Sequence, residues 1–259
     1  MSYSEKVLPI LRSARKILLP KWGIAPIFRH KSASGADVVT KLDIEVESRV
    51  AKSLQRLYPD IKFVGEERGG KRGGEKFWLM DPIDGTGHFV RGMPFCTTML
   101  ALVENGHVVF SAIYDFLNDG MYWAECGKGA FRNNKCLKVS GRPLKEAYVA
   151  VESRLETKKS QEMANRLEKE TVSFHSVSCG WEFAMIAEGK LDGRISFDPW
   201  GYDWDFAPGS LLVSEAGGVV ANIGSRKYDY RNTNLIATNQ VIFRELTSGR
   251  NAIFPLRKR

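Results

Sequence analysis

The sequence has no long hydrophobic run. None of its apolar stretches approaches the ~18 residues that a membrane-crossing helix needs. Nor is the start, Met1 to Lys6, followed by the continuous apolar core of a secretory signal. A cytoplasmic protein with no membrane partner is therefore expected. Cysteine is scarce as well. Cys96, Cys126, Cys136 and Cys179 contain no C-x-x-C pair, which argues against a disulfide framework or a thiolate metal site and for buried free thiols. The four histidines are scattered without a zinc pattern such as H-E-x-x-H, so any metal should have oxygen ligands. There is no internal repeat, low-complexity tract or linker rich in Pro, Gly or Ser. The glycine-rich basic stretch 68–74 lacks the G-x-x-x-x-G-K-[ST] order of a phosphate-binding P-loop, which leaves a solvent loop or a flap near a substrate.

What is present is an ordinary globular composition with an excess of positive charge. Against 30 acidic residues stand 38 Lys and Arg, a net charge of +8. That balance suits anionic partners, phosphate esters and nucleic acid among them, or simply a basic surface. The only basic run is the tail Arg257-Lys258-Arg259. At 259 residues the chain is long enough for a sizeable core, as one large domain or two small ones.

Apolar residues at helical spacing predict a helix over 4–19, capped by Ser4 and stopped by Pro20, and a second over 41–58. A short strand is expected near Ile27-Phe28. The 60–64 run reads as a strand that delivers Glu66 and Glu67 at its carboxyl end, where ligand sites gather in open α/β sheets. Asn105-Gly106 between two apolar runs, 97–103 and 107–114, is a hairpin signal. Asp119-Gly120, Gly127 to Gly129 and Asn133-Asn134 continue that meander. Beyond about 140 the pattern alternates: helix 157–170, strand 172–177, helix 180–188, strand 191–197, helix 203–216, then short strands 218–222 and 234–238. Helices alternating with strands indicate α/β layers.

The most informative stretch is Phe77 to Phe89. Four apolar residues, Phe77 to Met80, form a buried strand expected to end at Asp81, because Pro82 offers no N–H to a ladder. Asp84, Gly85 and Thr86 then make a turn into a helix. Asp-Pro and Asp-Gly are common turn dipeptides. Two carboxylates three residues apart on such a turn can also converge on one hard cation, and Mg²⁺ takes oxygen ligands of this kind. Gly85 allows close backbone approach, and the amides of residues 85–87 would face a phosphate at a helix start.

Three further stretches fall into register with that turn. They are Asp37-Val38-Val39-Thr40-Lys41-Leu42-Asp43, Gly65-Glu66-Glu67, and Trp204-Asp205-Phe206-Ala207 with Glu215-Ala216-Gly217-Gly218 about ten residues on. With Asp81-Pro82-Ile83-Asp84-Gly85-Thr86 they resemble the inositol monophosphatase family over roughly residues 37–222. The resemblance implies a five-layer α-β-α-β-α sandwich, here one phosphatase domain over 1–259 with halves 1–140 and 141–259 packed around a metal site. It implies a metal-dependent phosphoric monoester hydrolase working with two or three Mg²⁺, and a homodimer.

Residue by residue, the resemblance makes Glu66, Asp81, Asp84, Asp205 and the main-chain carbonyl of Ile83 metal ligands. Gly85 and Thr86 would bind phosphate, and Glu66 and Thr86, backed by Asp43, would orient the attacking water. Asp43 also fits a plain role as a first-turn acid favoured by the helix dipole, and Asp205 fits a capping role. Glu67 is expected beside the metal shell. Lys31 is a candidate to reach the site, or a solvated loop lysine.

The chain departs from the family pattern around the substrate. Ser178-Cys179-Gly180-Trp181-Glu182 replaces small residues, His88 stands where the family often has asparagine, and Asp198 occupies the place of a sugar-binding glutamate. His88 is expected to cover the surface rather than face the site. Trp200 and Tyr202 fit either ring stacking or the core. A small phosphate ester is the expected substrate, with inositol, histidinol, sugar and nucleotide 3′-phosphates all open. A non-catalytic RNA- or anion-binding protein on this fold is the rival reading, with nucleic acid the less expected partner.

Overall fold

A computed structural model describes residues 2–31, 38–72 and 75–257. Asp37, the last two glycines of the 68–74 loop and the tail residues Lys258 and Arg259 lie outside the described residues.

The chain opens with α1 (Tyr3–Arg12), α2 (Arg15–Leu18) and a 3₁₀ turn through Pro20, so the expected single helix is broken. The Ser13 hydroxyl bonds back to the carbonyl of Ile10 at 2.6 Å, a local alternative to helix continuation. Ser4 is not the cap but a buried residue inside α1, and its free amide donates to Glu125 Oε1 at 2.9 Å. A short antiparallel pair follows, β1 (Arg29–His30) with β2 (Val38–Val39), two residues beyond the strand expected at Ile27. Then comes α3 (Lys41–Leu57), whose start is closed by a Thr40–Asp43 capping box.

A seven-stranded sheet is built in sequence order from β3 (Lys62–Gly65), β4 (Lys76–Asp84), β5 (Thr97–Glu104), β6 (His107–Asp115), β7 (Gly120–Glu125), β8 (Ala130–Arg132) and β9 (Lys135–Cys136). The β3–β4 pair is parallel and the rest antiparallel. The short helix α4 (Thr86–Val90) follows β4. At the β5–β6 hairpin Asn105 and Gly106 both take positive φ, as the tight turn requires.

The second sheet has the order β11-β10-β12-β14-β13. Its strands are β10 (Tyr148–Glu152), β11 (Val172–His175), β12 (Gly193–Ser196), β13 (Val219–Asn222) and β14 (Leu235–Thr238). Helices α5 (Lys158–Glu170), α6 (Cys179–Ala187), α7 (Asp203–Glu215) and α8 (Gln240–Thr247) connect and flank it. Neither β10 nor α8 was legible as an element. The middle of β10 is Val149-Ala150-Val151, buried on both faces, so it carries no alternation.

Apolar clusters hold the layers together. Val7, Leu11, Val46 and Val50 of α1 and α3 cover one face of the large sheet at Trp78, Leu100 and Phe110. On its other face Met99 and Ile113 meet Phe183, Phe206 and Leu212 of α6 and α7, and these also meet Leu235 and Ala237 of the second sheet. Leu167, Ile242 and Leu246 of α5 and α8 close the far side over Val149, Ile195 and Ile236. The result is a layered α-β-α-β-α arrangement. Helix α7 is buried continuously from Phe206 to Val213 because it lies between two sheets. Cys96 and Cys179 are buried free thiols, but Cys126 and Cys136 are exposed, the first in the turn after β7 and the second on the edge strand β9.

Candidate active site

The carboxylates are brought together by a bulge. Strand β4 does not stop at Asp81 but runs on to Asp84. Asp81 pairs with Met99 and Asp84 with Thr97, so three steps on β4 face two on β5. In a regular strand, side chains three apart point to opposite faces. The extra residue restores the parity and turns both aspartates to one side. Pro82 falls inside this irregularity, where no ladder N–H is required, and its carbonyl accepts from Thr98 Oγ1 at 2.9 Å. Gly85 then adopts φ 78°, and a Cβ there would lie 2.3 Å from the Phe95 carbonyl oxygen. Only glycine fits that turn.

Carboxylate oxygens of Asp81, Asp84 and Asp205 lie within 4.8 Å of one another. Asp84 comes from the first sheet, but its oxygens accept from the second half of the chain: from the Ser178 hydroxyl, from Gly180 N at 2.8 Å and from Cys179 N at 3.3 Å. It thereby closes the N-terminus of α6, whose free amides and dipole favour an anion. Gly180 has no room for a side chain, since a Cβ would meet Thr97 Oγ1 at 2.1 Å. Asp205 lies in the first turn of α7 and accepts from Tyr202 N at 2.6 Å, so it is a capping acid as well as a member of the cluster.

Burial raises the carboxyls of Glu66, Asp81, Asp84 and Asp205 above the ordinary range. For Asp81 the charges of Glu66, Asp205 and Asp84 raise it further, and its Oδ1 is buried without a hydrogen-bond partner. A set of hard oxygen donors, mutually repulsive and holding an orphaned oxygen, fits a Mg²⁺-class cation. The cluster has no imidazole or thiolate that would favour a softer metal.

Around this cluster Thr86 Oγ1 sits 2.8 Å from the Ile83 carbonyl and 2.9 Å from Asp43 Oδ1. Asp43 is almost fully buried and accepts from Thr40 N at 2.8 Å, so its capping and its Thr86 contact coexist. Lys31 reaches the site: its ammonium bonds Glu66 and lies 2.7 Å from Glu67. Burial works against that ammonium's charge, yet the two glutamates hold its pKa above the usual lysine range. The Glu67 carboxylate is buried and also pairs with Arg29 at 2.6 Å.

A cavity of about 370 Å³ opens over these residues, lined also by His88, Glu152, His175 and Ser176. His88 thus faces the cavity instead of covering the surface. Trp200 and Tyr202 line it as well and are 61% exposed each, so they are not core residues. Asp198 is outside the lining. Its backbone is held in a left-handed turn by Arg154 and Asn234, and β12 ends before it.

Four residues with evident structural weight here had no role assigned from the sequence. Glu47 accepts from the amides of Glu67 and Arg68 at 2.8 and 3.0 Å and so holds the Gly65-Glu66-Glu67 turn. Its signal was available, because it is a charged residue on the apolar face of α3, one turn after Asp43. The others are Arg194, fully buried on β12, and the two glutamates it bridges, Glu152 and Glu182. Glu152 in turn holds the amides of Trp200 and Gly201, and Glu182 holds that of Val177. No local pattern announces them.

Known proteins resemble this chain over nearly its whole length. The chain matches the inositol monophosphatase family over residues 7–253. It is 30% identical over 251 residues to the fructose-1,6-bisphosphatase/inositol-1-monophosphatase of Thermotoga maritima, covering 95% of this chain and 94% of that one. Over 243 residues it is 30% identical to Bos taurus inositol monophosphatase 1, covering 87% and 86%. Among solved structures, a Thermotoga maritima IMPase superposes with a TM-score of 0.84 at 29% identity over 95% of both chains. The extragenic suppressor protein suhB of Bartonella henselae does so with a TM-score of 0.83 at 27% identity, over 92% of this chain and 93% of that one. The chain belongs to the inositol monophosphatase family, whose members are phosphoric monoester hydrolases.

Proposed function

We propose that the protein is a Mg²⁺-dependent phosphomonoesterase that hydrolyses a small phosphate ester by direct attack of water. The observation that carries this reading is the cluster of buried Asp81 and Asp84 with half-buried Asp205, in which Asp81 Oδ1 has no protein partner. With Glu66 and the Ile83 carbonyl, these residues would hold the cations. When bound, Mg²⁺ would neutralise the cluster, polarise the phosphoryl oxygens and make bound water more acidic.

The chain's own groups have separate tasks in this scheme. The turn at Gly85 and Thr86 offers first-turn amides, which have no carbonyl partner within the helix, to the phosphate. Thr86 and Glu66 orient the attacking water, and Asp43 fixes the Thr86 hydroxyl. Displacement is in line, with no covalent enzyme intermediate. Lys31 holds the Glu66 carboxylate in place, and its ammonium opposes the upward push of burial on that carboxyl.

The chain is read as one phosphatase domain over 1–259. Its halves, 1–140 and 141–259, meet at Asp84, which belongs to the first and accepts from Ser178 and Gly180 of the second. A homodimer acting in the cytoplasm completes the proposal on the strength of the family resemblance, and a mass measurement in solution tests the dimer. No helix among the described residues is long and apolar enough to cross a membrane. The RNA-binding alternative is disfavoured, since a binding surface has no use for buried carboxylates at such mutual cost.

Phosphate release from a panel of monoesters, with and without Mg²⁺, tests the proposal. The expected result is release that requires Mg²⁺. Folded protein that releases no phosphate from any ester in Mg²⁺ would overturn it.

A further inference from the structure

The mouth of the catalytic cavity carries a feature that the reaction itself does not use. Trp200 and Tyr202 present their rings to solvent at 61% exposure, yet the backbone beneath them is pinned. The amides of Trp200 and Gly201 both donate to Glu152 Oε1 at 3.1 Å, and the amide of Tyr202 donates to Asp205 Oδ2 at 2.6 Å. Glu152 is in turn fixed by the buried guanidinium of Arg194. The Tyr202 ring is also braced from behind. It stacks on Trp204 at 4.9 Å between centroids, and Arg72 lies 5.0 Å over the same Trp204 ring while pairing with Asp203. Exposed aromatic rings on a backbone anchored at three consecutive amides are preordered contact surface. They lose little conformational freedom on binding.

Apart from His88 and His175, the polar side chains of the neighbouring wall are already engaged. Glu152 is engaged by Arg194 and two amides. The Ser176 hydroxyl lies 2.7 Å from Arg194 and 3.1 Å from Glu182. The Ser178 hydroxyl is donated to Asp84. A polyol leaving group needs partners for several hydroxyls at once and would leave most of them unmatched against this wall. A flat unsaturated ring needs only a face to lie on.

On the reading that the site is a phosphomonoesterase, we infer that Trp200 and Tyr202 form a ring-binding subsite. The preferred substrate is then a phosphate monoester whose alcohol carries a planar unsaturated ring. Nucleoside phosphates and histidinol phosphate share this chemistry, and inositol phosphate lacks it. The phosphate sits over the carboxylate cluster while the ring lies on the platform that begins five residues before Asp205.

The test compares kcat/KM with Mg²⁺ for adenosine 3′-phosphate, histidinol phosphate, inositol 1-phosphate and glycerol 2-phosphate, in wild type and in Trp200→Ala and Tyr202→Ala. The expected result is a preference for a ring ester over both polyol esters, the purine or the imidazole arm naming the source. The ring-to-polyol ratio should fall about tenfold in at least one variant, in keeping with the usual worth of aromatic stacking. Polyol esters that match the ring esters, or a ratio that neither variant moves, would overturn the inference and leave the phosphatase reading standing. A binding measurement reads the platform without turnover. Both ring esters are titrated against tryptophan fluorescence, with Trp200→Ala as control. Saturable quenching that the variant abolishes supports the subsite, and its absence with both esters overturns it even if no ester is hydrolysed.

Discussion

Thr86 Oγ1 lies 2.9 Å from Asp43 Oδ1 and 2.8 Å from the Ile83 carbonyl, so one hydroxyl proton is placed between two acceptors. Burial lifts the Asp43 carboxyl to about 6 in spite of hydrogen bonds from Thr40 and Thr86. A carboxyl raised in the fold stabilises it fully below its unfolded value, near 3.8, and that contribution is lost as pH rises through about 6. At neutral pH the charged Asp43 is therefore a burden on the fold, kept for its contact with Thr86.

Asp43→Asn should separate these effects. In metal-free buffer at pH 8 the variant is expected to equal wild type or exceed it by about 1–3 kcal/mol in urea unfolding, and to lose that advantage towards pH 4. Phosphate release should fall about tenfold to a hundredfold. A variant that turns over normally would remove Asp43 from the water-orienting relay.

Asp84→Asn should abolish hydrolysis while leaving the far-UV spectrum intact. Wild type is expected to gain about 2.7 kcal/mol of stability at Mg²⁺ one hundred times above its dissociation constant. Asp84→Asn should gain much less, because removing a carboxylate lessens both the repulsion and the cation's hold. Equal stabilisation of both proteins by Mg²⁺ would show that Asp84 holds no cation.

Arg194 is fully buried between Glu152 and Glu182. Arg194→Met leaves two buried carboxylates without a counter-charge and should lower stability by about 3–5 kcal/mol. Adding Glu152→Gln and Glu182→Gln should recover much of the loss, since the cost lies in the unpaired charges rather than in the missing contact. A denaturant midpoint for the single variant within error of wild type would contradict the pairing.

Glu125 anchors the start of α1 from β7. Burial alone would raise its carboxyl, but the Lys128 ammonium, the Ser2 hydroxyl and the Ser4 amide bring it down to about 2. A lowered carboxyl stabilises the fold above its unfolded value, near 4.5, and that stabilisation is lost as pH falls through about 2. Lys128 is largely exposed, so its share is screened. Glu125→Gln should cost about 1–2 kcal/mol at pH 7 and almost nothing near pH 2. A stability difference that does not change with pH would mean the carboxylate's charge is not what holds α1.

Much of the chemistry was written locally and could be read without coordinates. Helix α3, the Asn105-Gly106 hairpin and the turn at Asp84-Gly85-Thr86 follow from periodicity, φ freedom and capping, which depend on residues close in the chain. Asp81 and Asp84 stood out as a candidate cation pair from their own turn, whereas Glu66 and Asp205 became candidates only through the resemblance of their short blocks to the family's. Packing decided the rest. The bulge that aims Asp81 and Asp84 the same way exists only in pairing with β5. Ser178 reaches Asp84 across 94 residues, and Arg194 is paired with carboxylates from a strand and a helix that no spacing links to it. Strand β10 was hidden because burial on both faces erases alternation, whereas α7 was legible over 203–216 although its place between two sheets leaves it no amphipathic signature. The sequence by itself determined which groups are candidates to hold a metal and a phosphate, through side-chain chemistry, the turn from Asp81 to Thr86 and the resemblance of the other short blocks to the family's. Only the tertiary structure decided that Glu152 and not Asp198 stands at the cavity wall, and that Trp200 and Tyr202 face solvent. Long-range contacts settle which side of a backbone is left uncovered.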